Sequence, residues 1–137
     1  MASIQRDIII NAAAADIWDA VRDVGALHTR LAPGFITHCE MDGDEARKIR
    51  FANGIEAREV IITIDDAARR LVWSAAGGRL THHNASAQVL AEGEGRCRFV
   101  WIADLLPHAM APAVTGMIEA GLQAMKAHAE NAGADRQ

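Results

Sequence analysis

Two residues in this chain carry side chains suited to proton transfer, His83 on an apolar strand face and Glu59 in a strand whose period leaves its facing open. An imidazole that titrates near neutrality is a good proton carrier. A carboxylate held in a low-dielectric hollow is costly to keep for packing alone. Facing the same hollow, the two groups could share a proton or orient a ligand hydroxyl or carbonyl between them. A pair with Arg58 or Arg79 would account for Glu59 without a ligand, and Arg79 itself reads as a solvated surface arginine. Other chemistries find no support. His82 and His83 are adjacent, so a strand sends them to opposite faces, and no third ligand stands at useful spacing for a metal. Gly77-Gly78 lacks the lysine and helix of a phosphate loop. No serine or cysteine has a base beside it in a nucleophile context. Asp104, ahead of Leu105-Leu106-Pro107, reads as a strand end and turn cap. No metal and no cofactor are expected.

The 137 residues suit one domain, large enough to bury roughly two-thirds of its unfolded surface. Half are hydrophobic and 23% charged, which implies an ordered core. The formal net charge of −4 argues against nucleic-acid binding, which needs a basic stripe. No run approaches the length of a membrane span, and the N-terminus reads without a signal peptide's apolar region. The only cysteines, Cys39 and Cys97, form neither a disulfide framework nor a metal-ligand spacing, which fits a reducing cytoplasm. Aromatic residues are scarce, with three Trp, three Phe and no Tyr, while alanine contributes 28 positions. Such a core either collapses tightly or leaves a hollow.

The elements that must position these groups follow from periodicity. Ser3 to Ile10 alternates as a strand. From Asn11 to Asp23 the period becomes helical, with Ile17, Trp18, Val21 and Val24 on one face. Gly25 ends that helix, and Ala26 to Leu31 reads as a second short one, stopped by Pro33-Gly34. Six strands follow, divided by turn residues: Phe35 to Met41, Ala46 to Ala52, Ile55 to Ile64, Arg70 to Ala76, Leu80 to Ala91 and Arg96 to Leu105. Asn53-Gly54 is the strongest hairpin signal among them. A final helix, entered at Pro107 and Pro112, runs to about Ala132, with Met110, Val114, Met117, Ile118, Gly121, Leu122 and Met125 in one stripe. Residues 133–137 read as a loose tail beyond the single domain of residues 1–132.

This order has a direct physical solution in the α+β class. Seven antiparallel strands curl into a bent sheet, the long helix lays its stripe across the concave face, and the short helices plug one end, giving a helix-grip fold. The helix brings Ala113, Met117 and Gly121 to the space beneath it. Strand parity adds Ala85, Ala87, Val89 and His83 on the inward side of their strand, with His82 outside. It also adds Cys97, Phe99, Trp101 and Ala103, then Leu71, Trp73 and Ala75, then Phe35, Thr37, Cys39 and Met41. Trp73 and Trp101 read as walls of the hollow. Ile55 to Ile64 is ambiguous by period, because Val60, Ile61 and Ile62 are all apolar.

The chain resembles the START-like, or polyketide cyclase/dehydrase, superfamily, which includes the birch-pollen-allergen fold. The resemblance rests on Ala12-Ala13-Ala14 with Ile17-Trp18-Asp19-Ala20-Val21, on Phe35 to Cys39, and on Glu59 to Asp66 followed by Arg70 to Ser74. Gly77-Gly78-Arg79-Leu80-Thr81 and Leu122-Gln123 complete it, nearly end to end. Together these look most like the branch of the plant abscisic-acid receptors and their bacterial relatives. The resemblance implies that Glu59 faces inward to a ligand, and that Thr37 takes the place of a lysine that anchors a ligand carboxylate. Trp73, Ala75, His83, Ala85, Met117 and Gly121 fall on other ligand-lining positions. The chain departs from that branch at Thr37, which carries no charge, and at the short loop Ala52-Asn53-Gly54, which lacks a Ser-Gly-Leu-Pro gate.

The expected function is binding of a small hydrophobic or aromatic molecule in an internal cavity, as a carrier or sensor. The rival expectation is a cofactor-free cyclase or dehydratase acting on a polyketide-like substrate, with His83 and Glu59 as proton-transfer groups. A third is an interaction module with a vestigial cavity. Neither nucleic acid nor membrane insertion is expected, and self-association is left open.

Overall fold

Alternating burial along the strands is the physical basis of the architecture. The computed structural model describes residues 1–76 and 78–135. In order they form β1 (Ala2–Ile10), α1 (Ala14–Arg22), a 3₁₀ turn (Val24–Ala26), a wider π-helical turn (Leu27–Leu31), β2 (Ile36–Met41), β3 (Ala46–Phe51) and β4 (Glu56–Asp65). Then come β5 (Arg70–Ala76), β6 (His82–Ala91), β7 (Cys97–Leu106), a 3₁₀ turn (His108–Met110) and α2 (Ala111–Asp135). The strands make one antiparallel sheet in the order β1-β7-β6-β5-β4-β3-β2. It curves around α2 as a helix-grip fold. No described helix is long and apolar enough to cross a membrane.

The tight turns obey local chemistry. At Asn53-Gly54 the glycine takes φ 89°, a left-handed conformation that costs a residue without Cβ little. The Asn53 side-chain oxygen accepts the Ile55 N–H at 3.0 Å, which closes the turn that joins β3 to β4.

β7 shows the pleat at its clearest: Cys97, Phe99, Trp101, Ala103 and Leu105 are buried, and the residues between them are half-buried. Arg98, on the other face, bonds Asp7 and Glu92, both at 2.8 Å. α2 covers the concave face with Val114, Ile118, Leu122 and Met125, all buried. Burying a side chain such as Ile118 contributes about 1.5–3 kcal/mol. A polar clamp sets the helix along β1. Lys126 Nζ donates to the Ile9 carbonyl at 2.8 Å, and Glu130 accepts from the Asn11 N–H at 2.9 Å. The Lys126 ammonium, then the Asn11 N–H, hold the Glu130 carboxyl below its usual range.

The structure differs from expectation in four places. Asp104, read as a strand end and turn cap, lies inside β7 opposite Ser3 of β1 and Asn84 of β6. α2 continues through residues 133–135 instead of ending at Ala132, so the tail is helical that far; residues 136 and 137 lie outside the described residues. The second short helix is two tight turns, the wider one closed by the Ala32 N–H to the Leu27 carbonyl at 2.9 Å. β2 breaks its parity. Ile36 pairs with Phe51 and His38 with Arg50, so Thr37 is an extra residue bulged out of the ladder. Thr37 is therefore exposed, its hydroxyl donating to the Arg50 carbonyl at 3.3 Å, and Ile36 takes the buried side instead. Met41, expected inward, is 39% exposed at the strand's end.

Candidate functional site

Between the concave sheet and α2 lies a cavity of about 600 Å³, within the range that takes drug-sized ligands. Its walls are mainly apolar. Leu71, Trp73, Phe99 and Trp101 come from the sheet, Ala113, Val114, Met117 and Met125 from α2, and Val21, Leu27 and Leu31 close the inner end. The mouth opens between the β3–β4 turn at Asn53 and Ile55, the segment at Arg79 and Leu80, and Met110 ahead of α2. Small side chains create the space: Ala57, Ala75 and Ala87 stand where larger residues would fill it.

Besides the exposed Asn53, Glu56 and Arg79, three buried polar side chains interrupt this lining, Arg47, Glu59 and His83, each at least nine-tenths buried. They stand in one row across the sheet. Arg47 pairs with Glu59 across β3 and β4, and Glu59 with Ala75 across β4 and β5. The Ala75 N–H then donates to Nδ1 of His83 on β6 at 3.0 Å.

Within the row, Arg47 compensates the buried carboxylate. Its Nε and Nη2 both reach Glu59 Oε1 at 2.8 Å, and Nη1 donates to the Val24 carbonyl at 3.1 Å. Glu59 Oε2 has no hydrogen-bond partner among the described residues. Neither arginine weighed from sequence takes this place. Arg58 bonds Asp42 at 2.9 Å on the surface, and Arg79 stands exposed at the mouth. Arg47 carried a readable signal, because Arg47, Ile49 and Phe51 alternate along one strand and the two apolar residues mark the inward face.

His83 has one nitrogen committed. Because Nδ1 accepts from Ala75, the neutral ring carries its proton on Nε2. Burial pushes the imidazole below the ordinary histidine value of 6.5, the charge of Glu59 draws it back up, and His82 lowers it. The site thus holds a neutral ring and a compensated carboxylate, a donor and an acceptor on one wall.

Of the residues singled out from sequence, Glu59, Trp73, Ala75, His83, Trp101, Ala113 and Met117 line the cavity. Thr37, Ala85 and Gly121 do not. Thr37 is turned to solvent by the β2 bulge. Ala85 is 2% exposed because the Trp73 and Trp101 rings, 5.9 Å apart from strands on either side of β6, converge over that strand. Gly121 is covered as well: a Cβ there would stand 2.9 Å from Trp101 Cζ3 and 3.0 Å from Phe35 Cε2. The glycine lets two rings rest on the helix backbone. The Trp101 indole N–H is buried with no partner among the described residues. Among those residues, no three His, Cys, Asp or Glu side chains converge to hold a metal ion.

A family model described as polyketide cyclase / dehydrase and lipid transport matches residues 1–130. No curated protein matches the chain in sequence. A solved structure from Thermobifida fusca is 28% identical, with a TM-score of 0.74 over 94% of this chain and 90% of its own. A START superfamily protein from Mycobacterium smegmatis is 13% identical, with a TM-score of 0.78 over 94% of this chain and 97% of its own. A truncated norcoclaurine synthase from Thalictrum flavum is 20% identical, with a TM-score of 0.72 over 91% of each chain. The last two establish likeness of fold.

Proposed function

Because the chain belongs to the polyketide cyclase/dehydrase and lipid transport family, we propose that it binds a small, largely apolar molecule beneath α2, as a carrier or sensor. The observation that carries this reading is the cavity of about 600 Å³, whose lining is mainly apolar and whose buried polar side chains are the Arg47–Glu59 pair and His83, with Asn53, Glu56 and Arg79 on its exposed part. A hollow this large in a core rich in alanine forgoes packing that bulkier residues would supply, and an occupant restores it. Two free, buried cysteines, Cys39 and Cys97, support a reducing, cytoplasmic setting.

The test is saturable binding of an apolar fluorescent probe, with native mass spectrometry of freshly purified protein to find a co-purified molecule. Ala113 lines the cavity but is exposed at the start of α2, so Ala113→Trp should narrow the mouth and leave the fold intact. The wild type should bind one probe per chain and the variant at least ~10-fold more weakly, a difference of about 1.4 kcal/mol. Equal affinity would count against a ligand site beneath the helix.

One observation favours a second reading, catalysis without a cofactor. His83 is a buried imidazole on the cavity wall, held neutral, with Nε2 uncommitted among the described residues. Such a ring could move a proton to or from a bound substrate. The fold is shared with a norcoclaurine synthase, so the scaffold is compatible with this chemistry. Cyclisation or dehydration of a β-polyketone by the wild type, lost in His83→Gln with probe binding retained, would establish it.

A further inference from the structure

Resting on the reading of the cavity as a binding site for a small apolar molecule, we infer that the site sorts its ligands by charge. It takes a neutral, hydroxyl-bearing molecule and rejects the matching carboxylate. The Ala75 N–H occupies Nδ1 of His83, so the ring offers the cavity a donor, Nε2–H, and no acceptor. Glu59 spends Oε1 on both Arg47 contacts, so the carboxylate offers Oε2, an acceptor and no donor. A hydroxyl answers either one, because it can donate to the carboxylate or accept from the imidazole. The two groups are two strand positions apart, about 10 Å along the sheet, with only Ala75 between them. A ring carrying one or two oxygens fits over that alanine.

A ligand carboxylate meets the same wall differently. It has no proton for Oε2, and two carboxylates in a water-poor cavity repel more strongly than in bulk solvent. Arg47 does not relieve this. Its Nε, Nη1 and Nη2 all bond Glu59 or Val24, and its side chain is 4% exposed against 9% for Glu59. Thr37, at the position where the resemblance implied an anchoring lysine, faces solvent. Arg79 is the remaining cation on the lining and stands at the exposed mouth, where solvent screens it.

Naphthalene, 2-naphthol and 2-naphthoate share one ring system and test the inference on the wild-type protein near neutral pH, where the naphthol is neutral and the naphthoate charged. The naphthol should bind more tightly than naphthalene and at least about tenfold more tightly than the naphthoate. In the double variant Arg47→Met with Glu59→Gln, which removes both charges so that neither is left buried alone, that gap should close as the naphthoate gains. Naphthoate binding as tight as naphthol would overturn the inference, and so would tight naphthoate binding that Arg79→Gln abolishes. In both cases the cavity stands as a binding site. Saturable binding by none of the three would overturn the binding reading itself. Should the double variant not fold, the wild-type order of affinities decides alone.

Discussion

The main-chain N–H of Ala75 donates to the side chain of His83, at 3.0 Å, where a carbonyl would ordinarily accept. The β5–β6 ladder runs in register from Arg70 with Gln88 to Trp73 with Ala85, and continued two residues further it would set Ala75 opposite His83. The His83 carbonyl is bonded instead by the Ser74 hydroxyl at 2.6 Å. An imidazole thus replaces a peptide group at the point where two strands part beside the cavity. Only the neutral ring can serve, because Nδ1 must accept.

Stability should therefore depend on pH through His83. Burial holds its pKa below 6.5 in the folded chain, so on acidification the unfolded chain takes up the proton first. The contribution is complete above about 6.5 and falls as pH drops through 6.5 toward the native value, then levels off. Urea unfolding at a series of pH values should show this decline, and His83→Gln, whose amide oxygen can still accept, should flatten it. An identical pH profile in the two proteins would show that His83 is not the group responsible.

Gly121→Ala should destabilise the protein although alanine favours a helix by about 1 kcal/mol. The new Cβ meets Trp101 at 2.9 Å and Phe35 at 3.0 Å, and both rings belong to packed cavity walls. Overpacking of this kind costs about 1–3 kcal/mol. Chemical denaturation gives the sign, and a change in tryptophan emission reports the displaced ring. A more stable variant with unchanged emission would mean that the rings give way freely.

Trp18→Ala should cost ~3–5 kcal/mol. The ring is 6% exposed between α1 and the sheet, and its Nε1–H donates to Asp66 at 2.9 Å, tying α1 to the β4–β5 turn. Trp18→Phe should recover most of that loss, because it keeps most of the apolar bulk. Melting of the alanine variant within experimental error of the wild type would refute this anchoring role.

Much of this molecule is legible along the chain alone. Alternation over His83, Ala85, Ala87 and Val89, and over Cys97, Phe99, Trp101 and Ala103, marks the buried face of β6 and β7. Side chains of a strand point to opposite faces in turn, and only one face here is dry. That is enough to turn His83 inward and His82 outward. The turn residues between the strands, Asn53-Gly54 above all, and the apolar stripe of the last helix add the strand count and the gripping helix.

Other features depend on distances that no local pattern encodes. The partner of Glu59 is Arg47 because the β3–β4 register sets those two residues opposite each other; Arg58, adjacent in sequence, faces away. Thr37 leaves the cavity because one extra residue in β2 reverses its parity, and that bulge is a relation between two strands. Ala85 and Gly121 carry the same absence of bulk as Ala75, yet aromatic rings cover them while Ala75 stays open to the hollow. A small residue states only that space is available. Whether a neighbour's ring or a ligand fills that space is settled by packing among residues far apart in the chain, so the hollow and its polar row exist only in the tertiary structure.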